Sequence, residues 1–193
     1  MRLRDVERGD GIANRLLIRF ISVALRMRLP DAARVAFYHK DFFSRAMGAW
    51  TQAAMRGPSR WSVGERELMA AMVAKWNSCS FCVGAHGAIA AKVLERRPVD
   101  ATLDDFRTAP ISSGLKATLT FLEKMTSRPA QLTADDARAV LGAGVSSEAL
   151  TDAIAVAAIF NIVTRNADAL DFAMPTPGEF DGAAGMLLKR GYA

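Results

Sequence analysis

The chain has 193 residues, about half of them apolar, which is enough for one domain with a substantial core and too short for two. Its 25 basic residues are interleaved with 20 acidic ones, and a net charge of +5 gives no ground for a nucleic-acid role. The two cysteines form a single CxxC pair, which cannot staple distant segments; this excludes a secreted disulfide framework and favours a reducing, cytoplasmic setting.

Residues 1–11 are charged, contain Gly9 and Gly11, and are expected to fray. From Ile12 to Leu29 the apolar positions Leu16, Phe20, Val23 and Met27 recur at helical spacing, with arginines on other faces. Such a helix suits docking on its own domain or a neighbouring subunit better than a membrane surface. Arg19, Arg26 and Arg28 interrupt the stretch, so it reads neither as a membrane span nor as a signal peptide. Residues 1–29 therefore read as an N-terminal extension with an amphipathic helix, and 30–193 as the domain.

A second helix is expected from Pro30 and Asp31 to about Arg56, containing His39, Phe42, Phe43, Met47 and Trp50 as surface, core or interface residues rather than catalysts. Gly57-Pro58-Ser59 ends it. Ser62 and Glu65 form a capping box, which opens a helix with Leu68, Met69, Met72 and Val73 as its buried stripe and Glu67 in its first turn. After a turn at Trp76-Asn77-Ser78, a helix capped by Asn77 or Ser78 runs to Pro98, thin-flanked at Gly84, Ala85, Gly87 and Ala88.

Residues 97–110 read as a loop or short helix, followed by a helix over Ser113–Thr126 and another from Thr133 to Gly142. A helix capped by Ser146 or Ser147 runs to Leu170; its interior AIAVAAIFNIV is apolar nearly all round, as in a central buried helix. Asn161, Arg165, Asn166 and Asp168 near its end read as a hydrogen-bonded buttress or an interface. The tail carries Pro175, Pro177 and Gly178 and then a short helix near Ala183–Arg190. No stretch alternates long enough for a strand, so the fold class is all-α.

The chemistry concentrates at Glu67, Cys79, Cys82 and His86. If Cys79 opens a helix, Cys82 at i+3 and His86 at i+7 share its face. The first thiol of such a pair lies beside unpaired N–H groups and the positive end of the helix dipole, which favour thiolate. Either sulfur can attack and the other resolve, His86 can exchange a proton with the thiol one turn away, and Glu67 can orient the imidazole.

Glu67, eleven residues, Cys79, two residues, Cys82, three residues and His86 resemble the signature of the AhpD-like alkylhydroperoxidases of the carboxymuconolactone decarboxylase superfamily. The flanks Arg56–Ala71 and Leu132–Leu170 resemble its peroxidase-related branch. The resemblance implies an AhpD-like helical bundle assembling as trimers or hexamers, with Cys82 as the attacking (peroxidatic) thiol, Cys79 as the resolving one, and a His86/Glu67 proton relay. It implies a peroxide as substrate, a redox-active disulfide, no metal or organic cofactor, and reduction by an external dithiol of the lipoyl-bearing or thioredoxin-like kind. The best-known hydroperoxidase has a histidine directly before its second cysteine, where this chain has Phe81. Other readings are zinc held by Cys79, Cys82, His86 and Glu67, a lactone decarboxylase of the superfamily, or a helical oligomer whose cysteines only pack. Structural zinc usually takes four ligands from two separated pairs, which this spacing does not supply.

Overall fold

The computed structural model describes residues 1–24, 26–38 and 45–192; His39, Phe42 and Phe43 lie outside them. Among the described residues the chain forms α-helices and one 3₁₀ turn, with no strand. The helices are α1 (Arg4–Arg8), α2 (Ile12–Ala24), α3 (Asp31–Tyr38), α4 (Met47–Arg56), α5 (Val63–Trp76), α6 (Ser80–Leu94), α7 (Arg96–Asp105), α8 (Ser113–Ser127), α9 (Ala134–Gly142), α10 (Ser147–Leu170) and α11 (Pro177–Arg190).

The helix starts follow the side-chain chemistry of their caps. Ser62 accepts from the Glu65 amide while the Glu65 carboxylate accepts from the Ser62 amide, the reciprocal arrangement expected there. Thr133 and Asp136 repeat it at α9, and Ser112 and Ser146 cap α8 and α10. A further capping box, Thr176 with Glu179 and Pro177 in the first turn, starts α11 several residues before the expected position. Pro177 has a φ already suited to a first turn, so the proline that looked like a breaker is a starter. Pro98 likewise lies inside the first turn of α7, and α6 ends earlier than expected, at Leu94.

The core lies between α5, α8 and α10, around Leu68, Met72, Leu119, Leu122, Ile159 and Phe160, each at most 2% exposed. Fully burying such side chains stabilises by about 1.5–3 kcal/mol apiece. At 24 residues, α10 is long and apolar enough to cross a membrane, but Ala153, Val156, Ala157 and Ile159 are fully covered by the protein's other helices. It is the central helix that its composition implied. Trp61 donates its indole N–H to the Ala149 carbonyl at 2.7 Å and ties the α4–α5 connection to the start of α10.

The N-terminal segment is docked, contrary to the expected fraying. Val6 is buried, the Arg2 amide donates to the Leu170 carbonyl at 2.7 Å, and the Arg34 guanidinium donates to the Glu7 carbonyl. The apolar stripe of α2, by contrast, is not docked on its own domain: Ile12, Leu16, Phe20 and Val23 are exposed, and Ile18 supplies the buried contact.

Candidate active site

Helices α5 and α6 form an antiparallel pair joined by Asn77, Ser78 and Cys79. Ser78 takes the left-handed conformation, φ 62°, which reverses the chain so sharply that Cys79, rather than Asn77 or Ser78, is the N-cap of α6. The turn is buttressed from α10: the Asn77 amide group donates to Asn161 Oδ1 at 3.1 Å and to the Thr164 hydroxyl at 3.0 Å. Asn161 is itself fixed by donating to Thr126 at 3.2 Å and by accepting from Arg165 at 2.9 Å. The expected buttress is therefore formed by Asn161 and Arg165, while Asp168 faces the sulfurs instead.

Cys79, Cys82 and His86 are 0, 2 and 7% exposed, so the face they share is turned into the protein, and both cysteines are free thiols. The Cys82 thiol, hydrogen-bonded to the Cys79 sulfur, together with the Cys82 amide, holds the Cys79 thiol below its ordinary range, against burial and the nearby Asp168. The same hydrogen bond, burial and the Cys79 charge push Cys82 far up. When the pair loses its first proton, Cys79, at the helix N-terminus, is therefore the preferred site of the negative charge.

Glu67 is not in the first turn of α5 but in its second, and it points inward with no exposed surface. Its Oε2 is 2.7 Å from His86 Nδ1. Because a carboxylate only accepts, Nδ1 carries the hydrogen, and in the neutral ring the lone pair lies on Nε2. The His86 ring meets Phe160 edge-on at 4.4 Å.

Two further groups, absent from the sequence reading, complete this arrangement. Arg56 Nη1, at the end of α4, is 2.7 Å from Glu67 Oε1, and the Tyr192 hydroxyl donates to Oε1 at 2.8 Å. Burial alone would raise the Glu67 carboxyl, but the His86 hydrogen bond and charge, Arg56 and Tyr192 together hold it below the usual carboxylate range. Arg56 is legible only as a basic residue in a last helical turn, and Tyr192 carries no sequence signal.

Phe81 meets Phe172 edge-on at 5.1 Å and Phe180 at 6.0 Å, covering the sulfurs with aromatic rings. Gly84 allows α11 to approach as its thin flank implied: a Cβ there would lie 2.7 Å from the Phe180 ring. A cleft of about 220 Å³ opens beside this cover, lined by Ser78, Ser80, Phe81, Asp168, Phe172 and Met174. It borders the residues on either side of Cys79. Among the described residues no three His, Cys, Asp or Glu side chains converge as a metal site.

The chain superimposes on an uncharacterized peroxidase-related protein from Silicibacter sp. TM1040 with TM-score 0.77, at 23% identity over 94% of both chains. A peroxidase-related protein from Ralstonia eutropha JMP134, described as an alkylhydroperoxidase AhpD core, gives 0.72 at 25% identity over 90% of both. The debrominase Bmp8 gives 0.68 at 20% identity over 92% of this chain and 94% of that one. A cysteine-to-alanine variant of that enzyme, in complex with 2,3,4-tribromopyrrole, gives 0.70 at 19% over 94 and 92%. No protein-family model matches the chain, and no curated protein does.

Proposed function

From the premise that this chain has the AhpD-like fold of the peroxidase-related proteins, we propose that it is a cysteine-pair oxidoreductase that reduces a peroxide. One observation carries the reading: a buried dithiol stands one helical turn from an imidazole whose Nδ1 is held by a buried carboxylate at 2.7 Å. The sulfur order implied by the resemblance, Cys82 first, runs against the acidity order, in which Cys79 is the more acidic thiol, so Cys82 attacks only as its proton passes to Cys79. The Cys82 sulfur then attacks the terminal peroxide oxygen, an S–O bond forms as the O–O bond breaks, and the departing alkoxide takes one proton, delivered by His86 and recovered from solvent. Cys79 attacks the resulting sulfenic acid; its own proton leaves with the hydroxyl as water, and the disulfide forms. An external dithiol returns the pair to the reduced state, and the cleft beside Cys79 offers it a route.

The test is a count of free thiols before and after hydrogen peroxide or an organic hydroperoxide. Two thiols per chain should disappear and return with dithiothreitol, and the single remaining thiol of Cys82→Ser should not be lost to an intramolecular disulfide. Thiols that survive a peroxide excess in the reduced protein would sink the reading.

One observation favours a second electron acceptor. Phe81, Phe172 and Met174 give the cleft an apolar wall suited to a flat halogenated ring, and one structural neighbour is a debrominase. The same dithiol would convert a carbon–bromine bond to carbon–hydrogen with release of bromide, the sulfurs ending as a disulfide. Bromide release from tribromopyrrole, read beside the thiol count, separates the two. The trimer or hexamer implied by the resemblance is supported by the exposed stripe of α2, and sedimentation equilibrium tests it.

A further inference from the structure

Tyr192 reaches the site from beyond α11, 125 residues from Glu67 in sequence. Its amide donates to Gln52 Oε1 at 2.7 Å, and its ring lies under the Arg56 guanidinium, whose carbon is 4.9 Å from the ring centre. The hydroxyl is 2.8 and 3.1 Å from the two Glu67 oxygens and 3.4 Å from His86 Nδ1. Arg56 also donates to the Met55 carbonyl at 2.9 Å, yet its buried Nε has no hydrogen-bond partner.

The charged and titratable groups near the His86 ring are Arg56 from α4, Glu67 from α5, Cys82 one turn away on α6 itself, and Tyr192 from the segment after α11. Helix α10 contributes the uncharged Phe160 ring. A carboxylate buried against an imidazole and left uncompensated favours the charged form of the ring. Here the carboxylate charge is already answered on its far oxygen by Arg56, and both oxygens share the Tyr192 hydrogen. Burial and the Glu67 charge hold the Tyr192 phenol well above its ordinary value, so it stays a donor.

We infer that Arg56 and Tyr192 are positioning residues that hold Glu67 in line with His86 Nδ1 and compensate its charge. The inference rests on the relay reading of His86 and Glu67. It assigns the arm after α11 a part in the chemistry and not only in packing.

The test follows the ring carbon and nitrogen signals of His86 by NMR across pH in a His39→Gln background, which leaves one histidine. In Tyr192→Phe, which keeps the ring, the His86 titration midpoint should move up by roughly half a unit or more. Arg56→Met should move it further in the same direction, and Arg56→Lys should bring it back toward the parent. The acid limb of the thiol-oxidation rate should move with the midpoint. If Arg56→Met does not fold, Tyr192→Phe decides alone. An unmoved midpoint in folded Tyr192→Phe overturns the inference even if peroxide still oxidises the thiols. A moved midpoint in a chain that peroxide leaves untouched sustains it while the peroxide reading falls.

Discussion

Asp31 and Glu67 are both fully buried carboxylates beside arginines, and they hold opposite ends of one C-terminal arm. Asp31 accepts from Arg28 at 2.6 Å, lies 3.8 Å from Arg34 Nε, and accepts from the Ala173 amide at 2.8 Å, where the arm begins. Glu67 accepts from Arg56, His86 and, where the arm ends, Tyr192. The partners of Asp31 are two guanidinium groups and a backbone amide, none of which changes protonation near neutrality. Only Glu67 has an imidazole among its partners. Burial with arginine is therefore common to a structural tie and to a reactive site; the titratable third partner tells them apart.

The sharpest way to break this comparison is to neutralise each carboxylate in turn. Glu67→Gln leaves Arg56 charged and buried without a counterion, and should cost about 3–5 kcal/mol in urea unfolding while slowing thiol oxidation. Asp31→Asn should cost less, about 1–3 kcal/mol, because Arg28 keeps access to water. Its rate of thiol oxidation per folded molecule should be unchanged; equal losses of rate in both variants would erase the distinction.

Acid titration sharpens it further. The Glu67 carboxyl lies below its ordinary 4.5, so its contribution to stability is complete above that pH and disappears as pH falls through the lower folded value. Urea midpoints between pH 6 and pH 3 should fall more steeply in the parent than in Glu67→Gln. Asp136, held at about 2 by Lys124 and by the Thr133 cap, contributes in the same sense and should make the same slope shallower when changed to Asn.

Smaller effects come from loosening the arm. Gly84→Ala forces the Phe180 ring to give way and should cost about 1–3 kcal/mol, with faster hydrogen exchange in α11 than in α3. Thr176→Ala removes the α11 capping box and should cost about 1 kcal/mol, with the thiol reaction nearly as fast as in the parent.

Much of the fold was legible because its helix starts are chemical. Ser62 with Glu65 and Thr133 with Asp136 need only local groups to be read, and the apolar interior of α10 announced a central helix. Thr176 with Glu179 was equally local, but Pro175, Pro177 and Gly178 around it masked the signal. Of the two coverings expected for the α2 stripe, its own domain or a neighbouring subunit, the first does not occur, because periodicity identifies an apolar face and not what covers it. In the site, Glu67 and His86 could be paired because they lie on consecutive antiparallel helices, where a fixed interval sets the register. Arg56 and Tyr192 come from separate elements that meet only in the folded chain, and no spacing rule links them. Helix α5, buried on nearly every side, and α6, apolar along most of its length, also show no polar face to mark which way their reactive groups point.

The location of Tyr192 makes the reaction centre visible to spectroscopy. The chain has two tyrosines, Tyr38 and Tyr192, so growth on 3-fluorotyrosine yields two fluorine resonances. One of them belongs to a ring whose hydroxyl touches the carboxylate and whose face carries a guanidinium. Its frequency would follow each turnover from inside the protein, with no added dye and no substitution at either sulfur.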